Sequence, residues 1–553
     1  MTRTFCDLRS VALALLIVIP DVVLAQAKAD VVMTGGKIFT ADSTRPWATA
    51  IAIRGDRIVA VGSDADVAAF TGAATRRIPL AGRVVVPGFN DAHTHVGADI
   101  GGVTFATSTS PTPDPVFSVV RDSVAAIARR QPPGVWISTA VAEAVLGDSA
   151  ARRVALDRAA PRNPVLLRGW SGHGAVLNTA ALLAAHVDTL HDPVGGWLER
   201  DASERVTGRL DEYALFGASL RLVEARGAAA TVAAFAVYNG EAAAFGLTSA
   251  QNMSTALTPA LLRAVENSGV LRLRHHVIAF EGTRVGRRDA IWRAARIPSP
   301  LTRIAGAKWV LDGTPIERLA LMREPYADRP GWYGRANFSF DTLKAMLRDA
   351  LMARQQPILH AVGDSTIALV FSAMRALAPD SVWRALRPRI EHGDQVMPDQ
   401  FAAAKSLGII VVQNPTHLAL PFRGTRWTDA RASSSEALRS ILTAGIPIAI
   451  GSDGPLNTGL NIMLASLNPA NPGEALTREQ AVIAYTRTAA YAEGEEREKG
   501  MLRVGMLADL AVLSQDIFTV PPPAMPGTTS LMTMVGGRMT RDVTTSKSPA
   551  GEP

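Results

Sequence analysis

Cysteine is almost missing from this chain: Cys6 is the only one in 553 residues. It falls within an N-terminal stretch that reads as a cleavable leader. The remainder therefore has no disulfide, no thiolate metal ligand, no cysteine nucleophile and no lipid-modified cysteine. Such a chain must be held together by its core, and any metal it binds must sit among nitrogen and oxygen donors. Clustered charge is missing too. The net charge is +7, yet lysines and arginines are interspersed with acids and no aromatic stripe alternates with basic residues, which argues against a nucleic-acid surface. Charged residues make up only 19% against 48% apolar, so global disorder is excluded and a sizeable core is available. There is no internal repeat.

The most conspicuous apolar run, residues 11–19, follows Arg3 and Arg9 and precedes Val23-Leu24-Ala25, with small residues where a signal peptidase reads. It is too short for a comfortable membrane span. The expectation is a signal peptide over 1–25, a secreted or periplasmic protein, and no stable membrane span after cleavage. At the other end, residues 543–553 are rich in Ser, Lys, Pro and Gly and are expected to be a disordered tail.

What is present has three textures. Residues 26–88 contain strand–turn–strand patterns, with turns at Gly35-Gly36 and Gly55-Asp56. Residues 500–542 repeat that texture, and neither segment can make a core alone, so the two are expected to pair into one composite β-sandwich. Between them, residues 89–499 alternate strand-like and helical runs most clearly from Val270 to Ile450, the pattern of an α/β protein with a parallel sheet, long enough for a (β/α)8 TIM-like barrel. Residues 97–240 interrupt that pattern and read as an insertion of alanine-rich helices and loops.

Chemistry is expected at the C-terminal ends of barrel strands. Val84-Val85-Val86-Pro87-Gly88-Phe89-Asn90-Asp91-Ala92-His93-Thr94-His95 puts two histidines on one face of a strand, aimed at one point. Downstream, His360 follows Pro357-Ile358-Leu359, His392 follows Arg389-Ile390-Glu391, and Asp453 follows Ile448-Ala449-Ile450-Gly451-Ser452. Lys308 lies in another strand-like run, either paired with a carboxylate such as Asp312 or serving as a ligand. Imidazoles and carboxylates without thiolates suit Zn²⁺, Mn²⁺ or Fe²⁺. His173, in the insertion, is a candidate to polarise a carbonyl or hold substrate. Trp170, Asp312 and His417 are candidate substrate contacts, Trp309 is a further candidate pocket wall, and Asp364 and Glu391 are candidates to orient the histidines beside them.

These strings, with Gly172-His173, Gly246-Leu247-Thr248-Ser249, His360-Ala361-Val362-Gly363-Asp364 and Gly505-Met506-Leu507-Ala508-Asp509-Leu510, run in one order through nearly the whole chain past the leader. In that order the chain resembles the amidohydrolase superfamily, in its YtcJ-like branch (amidohydrolase family 3). It departs from the branch in having Gln251-Asn252 where Gln-Asp is frequent, and Asp394 where glutamine is common. The resemblance implies one or two divalent ions, with Zn²⁺ favoured. His93, His95 and Asp453 would hold one ion, His360 and His392 a second, and a carbamylated Lys308 would bridge them. It also implies that Asp453 takes a proton from the attacking water. The expected activity is hydrolysis of a C–N bond in a small-molecule amide, N-formyl or cyclic amide. The same site is compatible with ester, lactone or phosphoester hydrolysis, and the barrel with a non-catalytic periplasmic binding protein. A homo-oligomer is compatible with all of these.

Overall fold

A computed structural model describes residues 27–280, 299–420 and 423–544. The expected signal peptide lies outside the described residues, as does the tail beyond Thr544. Val543, placed in that tail by its sequence, is instead tied by its N–H to Leu531 O at 3.0 Å. Among the described residues no helix is long and apolar enough to cross a membrane.

Eight parallel strands form the central sheet: β1 Phe89–Thr94, β2 Leu247–Asn252, β3 Arg274–Phe280, β4 Thr302–Val310, β5 Pro357–Ala361, β6 Arg389–His392, β7 Ile410–Gln413 and β8 Ile448–Ile450. They neighbour one another in chain order, as repeated βα units require. β8 and β1 lie at the two ends of the sheet, and the Asp453 N–H bonds to His93 O at 2.9 Å just past them, so the barrel is nearly closed. Runs such as Ile410-Val411-Val412 are buried along their whole length, because one face fills the barrel and the other packs under helices. The crossover helices carry local start and stop signals. Ser339 caps Phe340–Ala353 by accepting from the Thr342 N–H, and Gly408 ends Phe401–Leu407. Trp309 packs with Leu343, Met346, Leu359 and Met374 in the layer between strands and helices, so it is core and not a pocket wall.

The chain ends meet as expected in one respect. Val84–Pro87 pairs parallel with Lys37–Phe39 and antiparallel with Leu510–Leu513, which places N- and C-terminal strands in one six-stranded sheet. A four-stranded sheet from residues 31–79 shares an apolar layer with it, including Met33, Ile51, Val85, Leu510 and Met534.

The insertion differs from expectation. Between β1 and β2 it holds a six-stranded mixed sheet: Gly196–Arg200, Val206–Glu212, Gly174–Leu177, Val165–Gly169, Ile137–Val141 and Val103–Thr104. Alanine-rich helices flank it, and their composition dominated the sequence pattern. Strands such as Ile137–Val141 and Gly174–Leu177 are short, largely apolar runs that periodicity alone does not separate from helix. The long helix Tyr213–Ala244 returns the chain to β2. It breaks at Gly227, whose φ of 77° lies outside helical geometry. Before the break Ala214, Leu215 and Leu222 pack in the core of the insertion, and after it Phe235 packs on the barrel.

Candidate active site

The site is assembled at the C-terminal ends of the strands. His93 on β1 is buried, and its Nδ1 lies 2.5 Å from Glu391 Oε2 on β6. Glu391 is held in turn by Arg389, with Nε to Oε1 at 2.8 Å and Nη2 to Oε2 at 3.0 Å. Burial alone would raise the Glu391 carboxyl, but Arg389 and His93 hold it well below the usual carboxylate range. An ionised acceptor at Nδ1 fixes the proton there and leaves the His93 Nε2 lone pair free. His392 follows directly on Glu391, at a φ of 66° that a β-carbon disfavours. Its Nδ1 meets Asn414 Oδ1 at 2.7 Å. The Asn414 amide is oriented because its Nδ2 donates to Gly451 O at 3.0 Å.

Asp453, beyond β8, is also left-handed, with φ 41°. Its Oδ1 lies 3.3 Å from His95 Nε2 and 3.8 Å from His93 Nε2, and its Oδ2 3.8 Å from His392 Nδ1. Strained backbone at two site residues is characteristic of positions fixed by their surroundings. The loop is stapled to β1 by Asp91, which accepts from the Ser452 N–H at 2.7 Å and the Ser452 hydroxyl at 2.6 Å. Gly451 permits the approach, since a Cβ there would lie 2.4 Å from the His93 Cβ and backbone N.

His93, His392 and Asp453 each offer a ligand atom within 4.8 Å of the others. His360 on β5 adjoins them, its ring centroid 4.5 Å from that of His392; its buried Nε2 makes no hydrogen bond and lies 3.8 Å from Asp312 Oδ1. Burial, reinforced by neighbouring positive groups, lowers His93 to about 4 and puts His360 and His392 well below the ordinary histidine range, so all three are neutral near pH 7. Burial also raises Asp453, but His93, His95 and His392 outweigh it and hold the carboxylate ionised. Neutral imidazoles and one carboxylate fit a divalent ion.

Among the described residues, the group whose ligand atoms lie within 4.8 Å of one another joins His93, His392 and Asp453, and so draws on both sets implied by the resemblance. His95 stands further out. It is 37% exposed, bonds Thr255 Oγ1 through Nδ1 at 2.8 Å, and reaches the group through Asp453. Lys308, on β4, is buried, and burial lowers it to about 8 against the pull of Glu391 and Asp453.

His173 reaches this cluster from the insertion, its ring centroid 4.7 Å from that of His360. Its Nδ1 lies 3.0 Å from Glu212 Oε1. Burial would lower its pKa, but Glu212, Glu317 and Asp453 raise it to about 9, so it alone of these buried imidazoles is cationic near pH 7. Trp170 is half-buried at the end of Val165–Gly169, with its indole N–H buried and unpaired. His417 stacks on His392 at 5.1 Å and faces Asp394 Oδ2 at 3.3 Å. Asp312 departs from its expected part in substrate contact. Its carboxylate accepts from the N–H groups of Val362, Gly363 and Leu321 and from Thr366 Oγ1, at 2.8–3.2 Å, and so staples the loop after β5. Asp364 pairs with Arg431 at 3.0 Å and orients no histidine, while Glu391 orients His93 and not its neighbour His392.

A family model described as the Amidohydrolase family matches residues 76–541. The chain belongs to the amidohydrolase family. This amidohydrolase is 28% identical over 524 residues to the N-substituted formamide deformylase of Arthrobacter pascens, covering 88% of this chain and 94% of that protein. It is 25% identical over 480 residues to the putative amidohydrolase YtcJ of Bacillus subtilis, covering 81% and 87%. Its fold matches the crystal structure of an uncharacterized metal-dependent hydrolase from Pyrococcus horikoshii OT3 with a TM-score of 0.67 at 19% identity, over 89% of this chain and 99% of that one.

Sequence reasoning missed Glu212, Glu317 and Asn414 in this amidohydrolase. Asn414 directly follows β7, so the strand-end rule that singled out His360 points to it as well. Glu212 and Glu317 carry no such mark. Glu212 joins a strand of the insertion to a helix at φ 54°, and Glu317 sits in a loop, hydrogen-bonded to Ser171 and Thr314.

Proposed function

We propose that the protein is a metal-dependent hydrolase of non-peptide C–N bonds in small molecules, of the amide, N-formyl or cyclic amide kind. The observation that carries this reading is the convergence of His93, His392 and Asp453 on one point at the barrel mouth, with the His360 ring packed against that of His392. The N-substituted formamide deformylase relative, aligned over nearly its whole length, supports the bond type. A divalent ion held there, for which Zn²⁺ is the leading candidate, supplies the Lewis acidity that makes water a nucleophile near neutral pH.

The chain's own groups do the rest. Asp453, ionised and at the edge of the cluster, accepts the proton of the attacking water and returns it to the departing nitrogen. The cationic His173 offers its Nε2–H to the carbonyl oxygen as charge builds there. Water adds to the carbonyl carbon, the C–N bond breaks, and the amine leaves with that proton. Lys308 is buried on a central strand with its pKa lowered to about 8, which favours the neutral amine that CO₂ carbamylates. The N-terminal run supports action outside the cytoplasm.

The test is a screen of the metal-loaded protein on N-formyl amines, N-acyl amino acids, cyclic amides, esters and lactones, repeated with Asp453→Asn. The reading expects an amide or N-formyl compound to be the best substrate and Asp453→Asn to lower its turnover by about 10²–10⁴. An ester preferred over every amide, or an Asp453→Asn variant of normal rate, overturns it.

A further inference from the structure

The interior of the barrel is not wholly apolar. A string of buried polar side chains runs from the candidate metal ligand His93 toward the opposite end of the strands. Glu391 binds His93 and is gripped by Arg389. Arg389 also donates from Nη1 to Gln251 Oε1 at 2.5 Å and from Nη2 to Ala92 O at 2.6 Å. Gln251 donates from Nε2 to Asn90 Oδ1 at 3.3 Å and to Ala489 O at 3.0 Å. Asn90 donates from Nδ2 to Glu493 Oε1 at 2.6 Å. Glu493, just past the helix Arg487–Ala492, is neutralised by Lys499 Nζ at 2.7 Å, with His276 Nδ1 at 3.1 Å from its other oxygen. Asn90, Gln251, Arg389, Glu391, Glu493 and Lys499 are each no more than 5% exposed.

The direction of every bond is dictated by its ends. A carboxylate at Glu493 only accepts, so Asn90 must turn its NH₂ that way and its oxygen toward Gln251. A guanidinium at Arg389 only donates, so Gln251 must turn its oxygen that way and its NH₂ toward Asn90. No amide in the string can flip without setting two donors or two acceptors face to face. Two of the three remaining donors of Arg389, on Nε and Nη2, are thereby aimed at Glu391.

We propose that Arg389, Gln251 and Asn90, anchored on Glu493, are positioning residues. Together they fix the Glu391 carboxylate and so hold His93 as the Nδ1–H tautomer with Nε2 turned to the metal. This rests on the metal reading above, though not on which bond is hydrolysed. Partners one shell out from a metal ligand set its orientation, and their loss weakens metal binding by about 10–100-fold. Here the effect is carried further, through two amides, to a carboxylate that touches no candidate ligand.

The experiment titrates metal-depleted full-length protein with Zn²⁺ against a chromophoric chelator, well below the melting temperature. The variants are Gln251→Met and the shape-preserving Glu493→Gln. Histidine ¹⁵N spectra of the metal-free proteins report the His93 tautomer. Gln251→Met is expected to bind Zn²⁺ about tenfold or more weakly and to show a mixture of His93 tautomers. Glu493→Gln is expected to move both readouts the same way by a smaller factor, and it decides the matter alone if Gln251→Met does not fold. Folded variants with wild-type Zn²⁺ affinity and an unchanged tautomer, whatever their melting temperatures, overturn the proposal and leave the string a structural element. A wild type that takes up no Zn²⁺ overturns the metal reading and this inference together. The affinity comparison holds whether or not any amide is hydrolysed, so failure of the reaction assignment is read separately.

Discussion

At the scale of the residue, the site separates its histidines by environment. His93, His360 and His392 are neutral because burial outweighs every acid near them, while His173 is cationic because Glu212 and Glu317 outweigh burial. The first three suit a metal and the last an oxyanion. This division has a pH signature. If His173 must be protonated, turnover falls as pH rises through about 9. Replacing Glu212 by Gln removes the principal group that raises this pKa, so the alkaline limb of a kcat–pH profile should move to lower pH. An alkaline limb that stays in place in Glu212→Gln separates His173 from the rate. The linkage has the same sign. Because the folded pKa is raised above the ordinary value near 6.5, the stabilisation from the His173–Glu212 pair is complete below that value and is lost as pH climbs through about 9. The sequence named His173 as a candidate but did not contain the reason for its charge, since Glu212 and Glu317 reach it only through the folding of the insertion and a barrel loop.

At the scale of the element, two contacts control the geometry. The first is the loop after β8. Gly451 lies against His93, so Gly451→Ala must push β8 from β1 or displace the ring. A loss of about 1–3 kcal/mol in denaturant unfolding is expected, together with weaker metal binding. The second is the docking of the insertion onto the loop after β4. Arg335 stacks on Trp197 at 3.4 Å and reaches Asp211 at 3.2 Å, and Asn337 bonds Glu212 at 3.1 Å. Arg335→Ala should loosen that face by about 1–2 kcal/mol, read as faster amide exchange in Gly196–Arg200 and Val206–Glu212 with the barrel strands unchanged. Equal acceleration throughout would mean that the insertion does not move apart from the barrel. The later part of the barrel was legible in sequence because short buried runs such as Arg389–His392 and Ile410–Gln413 end in a polar residue and alternate with helical segments. The insertion was not, because its strands are brief and lie among alanines. Asp312 was misassigned for a related reason: a carboxylate after a strand looks the same in sequence whether it faces a ligand or four backbone and hydroxyl donors.

At the scale of the whole molecule, the candidate ligands come from β1, β5, β6 and the end of β8, and the first of them stands more than two hundred residues before the rest, so an ion bound among them cross-links the barrel where it is least completely hydrogen-bonded. Chelation should therefore lower the melting temperature and re-addition should restore it. Free ion at a hundred times its Kd stabilises by about 2.7 kcal/mol. A melting temperature indifferent to chelator would place any bound ion elsewhere. The order of motifs along the chain made the barrel readable as a whole, and it named His93, His392 and Asp453, which the fold brings together. What sequence did not hold was the third dimension of the site, above all which histidine each carboxylate serves.

The most direct test of the central claim, that His93, His392 and Asp453 form a metal centre, is elemental analysis of the purified protein beside a His93→Ala/His392→Ala variant shown to be folded. The account predicts a stoichiometric divalent transition metal in the wild type and its loss in the variant. A wild type without metal after loading, or a variant that retains the full complement, would contradict it.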